Sequence, residues 1–135
     1  QTDIKRIHET AICPPGFSSL IGKKVSLADF ENYPLISLGS DTKSFEFYSE
    51  FFAGYGLVYR PDIEAFTADQ ILPMVEADLG IGFVPREFIH SSDKVRIVDL
   101  IEKIPSRSIC LIKRKDQPLS VAAKELERMI LNLSE

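Results

Sequence analysis

The chain has 135 residues, 44% of them hydrophobic and 27% charged, which fits one globular domain with a real core. Sixteen basic against twenty acidic residues give a net charge of −4, a poor match to nucleic-acid phosphates. No apolar run approaches the roughly 20 residues a membrane span needs, and two cysteines, Cys13 and Cys110, exclude a disulfide scaffold and fit a reducing compartment.

Gln1 to Glu9 is polar, weakly patterned and unlike a signal peptide. The chain does not begin with Met, so a processed or truncated protein is expected. Thr10 to Cys13 reads as a short strand stopped by Pro14, Pro15 and Gly16, with a loop from Phe17 to Lys24. Ser26 is placed to cap a brief helical turn over Leu27 to Phe30. Leu35 to Leu38 is a short apolar run that predicts a buried strand.

The polar stretch Gly39 to Ser44 opens a helix of about eleven residues, on which Phe45, Tyr48, Phe51, Phe52 and Tyr55 form one aromatic stripe. Gly54 and Gly56 supply its stop. Pro61 to Phe66 predicts another strand. Thr67-x-x-Gln70 matches a capping box, but Pro73 deep inside a helix costs about 3 kcal/mol. The regular helix is therefore expected from about Gln70 to Ala77. Ile71, Met74, Val75 and Leu79 line one of its faces.

Ile81, Phe83 and Val84 then form an apolar strand ending at Pro85, and Gly82 within it signals a close backbone approach. A short helix over Arg86 to Ser91, strands at Val95 to Leu100 and Ser108 to Ile112, and a final helix capped by Ser120 complete the chain. Strands alternating with helices predict an α/β fold with a mostly parallel sheet.

Catalytic and metal signatures are missing. His8 and His90 have no ligand partner at metal spacing, and no G-x-S-x-G, H-E-x-x-H or P-loop occurs, so neither an enzyme nor a cofactor is expected. Gly80-Ile-Gly82 precedes a strand rather than following one, which rejects a dinucleotide site. In open α/β sheets, ligands sit beyond strand C-termini near helix starts. Gly39 to Ser44 and Phe66 to Ala68 occupy that position. Their hydroxyls, on Ser40, Thr42, Ser44 and Thr67, suit either a small anion or plain helix capping. Cys13 and Cys110 fit a redox pair or two small core residues.

Four landmarks in order now resemble one family: Ala11-Ile-Cys-Pro-Pro-Gly-Phe17, Val25-Ser-Leu-Ala-Asp-Phe-Glu-Asn-Tyr-Pro-Leu-Ile36, Ile71 to Pro85, and the closing strand and helix from Arg107 to Leu133. Together they resemble the C-terminal part of the effector-binding region of LysR-type transcriptional regulators. Asp78 departs from the pattern, standing where the family usually has glycine, so a different turn is expected before Leu79.

The resemblance implies a type II periplasmic-binding-protein-like α/β fold. It divides the chain into a first crossover strand region (1–14), the second effector subdomain (15–106), and a return crossover with the C-terminal helix of the first subdomain (107–135). It further implies that Cys13 and Cys110 lie on neighbouring strands. The winged helix-turn-helix and most of the first subdomain are expected upstream of Gln1, which leaves the final helix an unpartnered apolar face. The implied function is cytoplasmic sensing of a small molecule, a carboxylate or other anion, by a homo-oligomer that reaches DNA only through the N-terminal domain. Gly39, Ser40, Asp41, Thr42, Phe66, Thr67, Phe83, Val84 and Pro85 are the expected ligand-binding residues, with no metal. A periplasmic-type solute-binding protein without a regulatory role is the alternative.

Overall fold

The structure, a computed structural model, describes residues 2–90 and 93–112. The expected C-terminal helix lies outside the described residues. The chain forms strands β1 (Thr2–Ile7), β2 (Glu9–Cys13), β3 (Lys24–Val25) and β4 (Ile36–Leu38), then helix α1 (Lys43–Ala53) and strand β5 (Ile63–Ala65). Helix α2 (Ile71–Glu76) and strands β6 (Gly82–Pro85), β7 (Arg96–Leu100) and β8 (Arg107–Ile112) follow.

The main sheet has the order β3-β7-β2-β6. A parallel bridge between Leu35 and Ile81 extends it to the parallel pair β4-β5. Strand β2 runs antiparallel to both its neighbours, β6 and β7, so the sheet is mixed rather than mostly parallel. Local patterning cannot report strand direction, because side chains alternate identically in either sense.

That alternation splits the core into two layers. Ala11, Cys13 and Phe83 join Leu20, Leu27, Phe30, Tyr48 and Phe52 on the α1 side. Ile12 and Val84 join Ile36, Ala65, Ile71 and Val75 on the α2 side. Both faces of the strands are therefore covered, which accounts for runs that are apolar throughout rather than alternating.

The aromatic stripe of α1 buries Tyr48, Phe51 and Phe52 and leaves Tyr55 at 51% exposure. Thr42 caps the helix, its hydroxyl accepting from the Phe45 N–H at 3.1 Å. At the other end the Gly56 N–H reaches the Ala53 carbonyl and the Leu57 N–H reaches Phe52, with Gly56 at φ 74°. That pairing ends a helix in the left-handed region.

Ser26 caps the turn Leu27–Asn32 through a complete capping box with Asp29. The second expected capping box does not form. The Thr67 side chain makes no cap hydrogen bond, and Gln70 Oε1 accepts instead from the Phe66 N–H at 2.9 Å. A single 3-10 turn over Ala68–Gln70 precedes α2, which sets Pro73 in the first turn, where its missing N–H costs nothing. Leu79 turns away from the α2 core face to 42% exposure.

Asp78 adopts φ 66°, in the left-handed region that glycine favours. The N–H groups of Asp78 and Leu79 bond the carbonyls of Val75 and Met74. Gly82 makes the close approach its sequence signals, since a Cβ there would lie 2.5 Å from Ile71 Cγ2.

Three further expectations change. Thr2–Ile7, weakly patterned in sequence, is a strand because β8 supplies its partner. Between Phe17 and Lys24 there is a 3-10 turn, Ser18–Leu20, rather than a continuous loop. Arg86–Phe88 is a 3-10 turn rather than a longer helix. The register also separates the two cysteines. Cys110 pairs with Ile4, whereas Cys13 pairs with Arg96 in the main sheet. A disulfide needs Cα atoms within about 7 Å, and Ile4 and Cys13 lie nine positions apart along the strands β1 and β2. Cys13 is buried, and burial pushes its thiol up to about 11, which suits an inert core residue.

Candidate ligand cavity

A cavity of about 500 Å³ lies where β2, β4, β6 and β8 meet the starts of α1 and α2. That size is typical of small-molecule sites. Its wall is largely apolar, from Ile7, Ile36, Leu38, Ile71, Phe83 and Phe88. Phe83 is held in place by stacking on Tyr48, with ring centroids 4.4 Å apart.

The polar lining comes from separate elements. Arg107, at the start of β8, donates from Nη1 to Glu9 Oε1 at 3.3 Å and to Ser44 Oγ at 3.0 Å. Its guanidinium also lies 4.8 Å from the centre of the Phe47 ring, a cation–π contact. The Glu9 side chain is only 5% exposed. Burial raises its carboxyl pKa, an effect that outweighs the opposing pull of Arg107 and of the nearby Tyr48 hydroxyl. Although the Glu9 and Tyr48 side chains are close, they do not reach hydrogen-bond geometry, and neither Glu9 Oε2 nor the Tyr48 hydroxyl has a partner among the described residues. Burial, then the Glu9 charge, raises Tyr48 well above the usual tyrosine range. Burial pushes Tyr59, also in the wall, up to about 12.

The residues singled out from sequence divide around this cavity. Phe83 and Pro85 line it. Val84, between them, faces the opposite side and is buried with Ile71 and Val75. Gly39 and Thr42 are engaged in the loop, where the Thr42 hydroxyl donates to the Gly39 carbonyl at 2.7 Å. Ser40 borders a separate, shallower hollow beside Glu64, and Asp41 is exposed. Phe66 is 89% exposed, and Thr67 is exposed as well, while the next two residues, Ala68 and Asp69, reach the cavity wall.

Glu9, Tyr48, Tyr59 and Arg107 were not singled out as ligand residues. The available signal was a charge at the first position of an otherwise uncharged strand, in both Glu9-Thr-Ala-Ile-Cys13 and Arg107-Ser-Ile-Cys-Leu-Ile112. Among the described residues no cluster of His, Cys, Asp or Glu could hold a metal ion, and no helix is long and apolar enough to cross a membrane.

Residues 6–134 match the family described as the LysR substrate binding domain. The chain belongs to this family. Its fold is accordingly the α/β, type II periplasmic-binding-protein-like fold of LysR effector domains, and the match favours that reading over the solute-binding alternative. A curated relative, the uncharacterized HTH-type transcriptional regulator YwbI of Bacillus subtilis (strain 168), is 37% identical over 70 residues. That alignment covers 49% of this chain and 23% of the relative, so the chain spans under a quarter of that protein.

Two solved structures share the fold. The Synechocystis PCC6803 CcmR regulatory domain in complex with 2-PG has a TM-score of 0.70 at 13% identity, covering 100% of this chain and 68% of that one. The effector binding domain of QuiR in complex with shikimate has a TM-score of 0.70 at 16% identity, covering 96% and 64%.

Proposed function

We propose that this chain is the effector-sensing part of a LysR-type transcriptional regulator, which takes a small molecule in the cavity and acts on DNA only through a winged helix-turn-helix outside it. The observation that carries this reading is the preformed, largely apolar cavity with a few convergent polar groups, in a chain matched to the LysR family over residues 6–134. Fold relatives in complex with 2-PG and with shikimate support a small molecule as the ligand class. Such a ligand shifts the regulator only to the extent that it binds its two arrangements with different affinity.

In this reading residues 1–14 are the first crossover, 15–106 the second effector subdomain, and 107–135 the return crossover and closing helix. The division is supported by Ile7 and Glu9, Phe83, and Arg107, one set from each segment, bordering the same cavity. Phe83 and Pro85 contact the ligand, and Gly39, Ser40, Asp41, Thr42, Phe66 and Thr67 form the surrounding loops. Val84 contributes through its backbone. A carboxylate or other anion would find Arg107 at the cavity, already engaged by Glu9. The protein works as a homo-oligomer in the cytoplasm and catalyses no reaction.

Titrating a metabolite library into the chain, followed by amide chemical shifts, tests the reading. A ligand whose shifts centre on Tyr48, Phe83 and Arg107 supports it, and ligands that consistently shift only distant residues count against it. In the complete regulator the same ligand is expected to change the DNA footprint. A secretion signal encoded directly upstream, in place of a winged helix, would restore the solute-binding alternative.

A further inference from the structure

The cavity wall offers one place where a ligand's polar end is specified. Glu9 from β2, Tyr48 from α1 and Arg107 from β8 converge there. Glu9 uses Oε1 for Arg107, leaving Oε2 as a buried acceptor without a partner among the described residues. The Tyr48 hydroxyl, on a residue only 5% exposed, is a second buried polar group with no partner among the described residues. Buried polar atoms left unpaired cost free energy that a suitable partner recovers.

The three common kinds of polar end differ in what they offer here. A carboxylate only accepts hydrogen bonds, so it leaves Glu9 Oε2 unsatisfied, and it adds a second negative charge where Arg107 offsets only one. An ammonium meets a carboxylate whose charge Arg107 already offsets, and it faces the guanidinium itself. A neutral hydroxyl both donates and accepts, which satisfies Glu9 Oε2 and Tyr48 at once without adding charge.

We propose that the cavity takes a small molecule with an apolar body and an uncharged hydroxyl at its polar end, and that Glu9 and Tyr48 select hydroxyl over carboxylate. This deepens the effector reading above and rests on it. The raised carboxyl of Glu9 agrees, since a site that already disfavours one negative charge disfavours two more strongly.

Four matched probes test it on the 135-residue chain: benzyl alcohol, benzoate, benzylamine and toluene, each titrated at neutral pH and followed by amide shifts. Benzyl alcohol is expected to bind at the cavity about tenfold tighter than benzoate or benzylamine. Glu9→Gln, which replaces the charge with an amide donor, is expected to bring benzoate to within about threefold of the alcohol. Tyr48→Phe is expected to weaken the alcohol about fivefold and leave toluene unchanged, which separates a lost hydrogen bond from lost packing. Benzoate or benzylamine binding the wild type as tightly as the alcohol overturns the proposal and leaves the effector reading standing. So does a Glu9→Gln variant with an unchanged order of probes. The wild-type order needs no variant, so it decides the matter even where a substitution prevents folding. Failure of all four probes to reach the cavity overturns the effector reading and the proposal together.

Discussion

Arg107 and Glu9 form an ion pair at 3.3 Å that joins the first residue of β8 to the first residue of β2, 98 positions apart in the chain. The pair does not make ionised Glu9 comfortable. Burial outweighs the attraction, so the folded-state pKa stands above the ordinary carboxyl value of 4.5. The folded protein therefore holds its proton more tightly than the unfolded chain. Stability contributed by this group is full below 4.5 and is lost as pH rises through the raised folded value. Thermal unfolding of the wild type and of Glu9→Gln across that window checks the sign. The wild type is expected to lose ground to the variant as pH rises, and a difference that is flat or moves the other way means the Arg107 attraction prevails.

Gly80 and Gly82 separate two kinds of crowding. A Cβ on Gly82 would press on Ile71 Cγ2 and Val75 Cγ2, which are side-chain atoms with some room to adjust. Gly82→Ala is expected to cost about 1–3 kcal/mol, the usual range for an overpacked core. A Cβ on Gly80 would lie 2.6 Å from the Pro34 carbonyl oxygen. That oxygen is fixed by the Ile81 N–H, 2.9 Å away, in the bridge linking β6 to β4. Gly80→Ala is therefore expected to cost about 3 kcal/mol or more, as a clash that also breaks a backbone hydrogen bond. Denaturant unfolding of both variants checks the order, and a milder effect at Gly80 would mean that the bridge yields easily.

Phe83 couples core to cavity. One side of it stacks on Tyr48 and approaches Phe30 and Phe52, with centroids 6.1 and 6.2 Å away, and it also lines the cavity. Phe83→Ala is expected to cost about 3–5 kcal/mol. It should also relax the preference for hydroxyl probes, because Tyr48 loses the ring that holds it in place. Denaturant unfolding and the probe titration measure the two effects separately.

The elements that were legible in sequence are those whose signals are local. Thr42 caps within three residues, Pro73 can sit only in a first turn, and Phe45 to Tyr55 shows its helical stripe directly. Thr2–Ile7 was not legible because its polar sequence becomes a strand only when β8 pairs with it. The antiparallel sense of β2 depends on neighbours at Phe83 and Val98, which no window around Ala11 contains. The cavity divides in the same way. Phe83 and Pro85 stood out as an apolar run closed by proline. Glu9 and Arg107 have meaning only as a pair, and Val84 fell on the far face because neighbouring strand residues point in opposite directions.

Asp78 offers the sharpest comparison of residue preference with backbone demand. At φ 66° it holds the left-handed position that ends α2, and the N–H groups of Asp78 and Leu79 close the turn on Val75 and Met74. An L-residue pays about 1–2 kcal/mol for that conformation, less for Asp because its short polar side chain tolerates it. Asp78→Gly removes that strain but frees the unfolded chain, which returns about 0.5–1 kcal/mol. The net is expected to be a gain of up to about 1 kcal/mol. Asp78→Val keeps the strain and adds a branched Cβ, so it is expected to lose about 1–2 kcal/mol. Because Asp78 is exposed and does not border the cavity, both variants should bind the hydroxyl probe as the wild type does. Denaturant unfolding gives the stability order, and a destabilised Asp78→Gly would show that the aspartate side chain, rather than the backbone it tolerates, holds this turn.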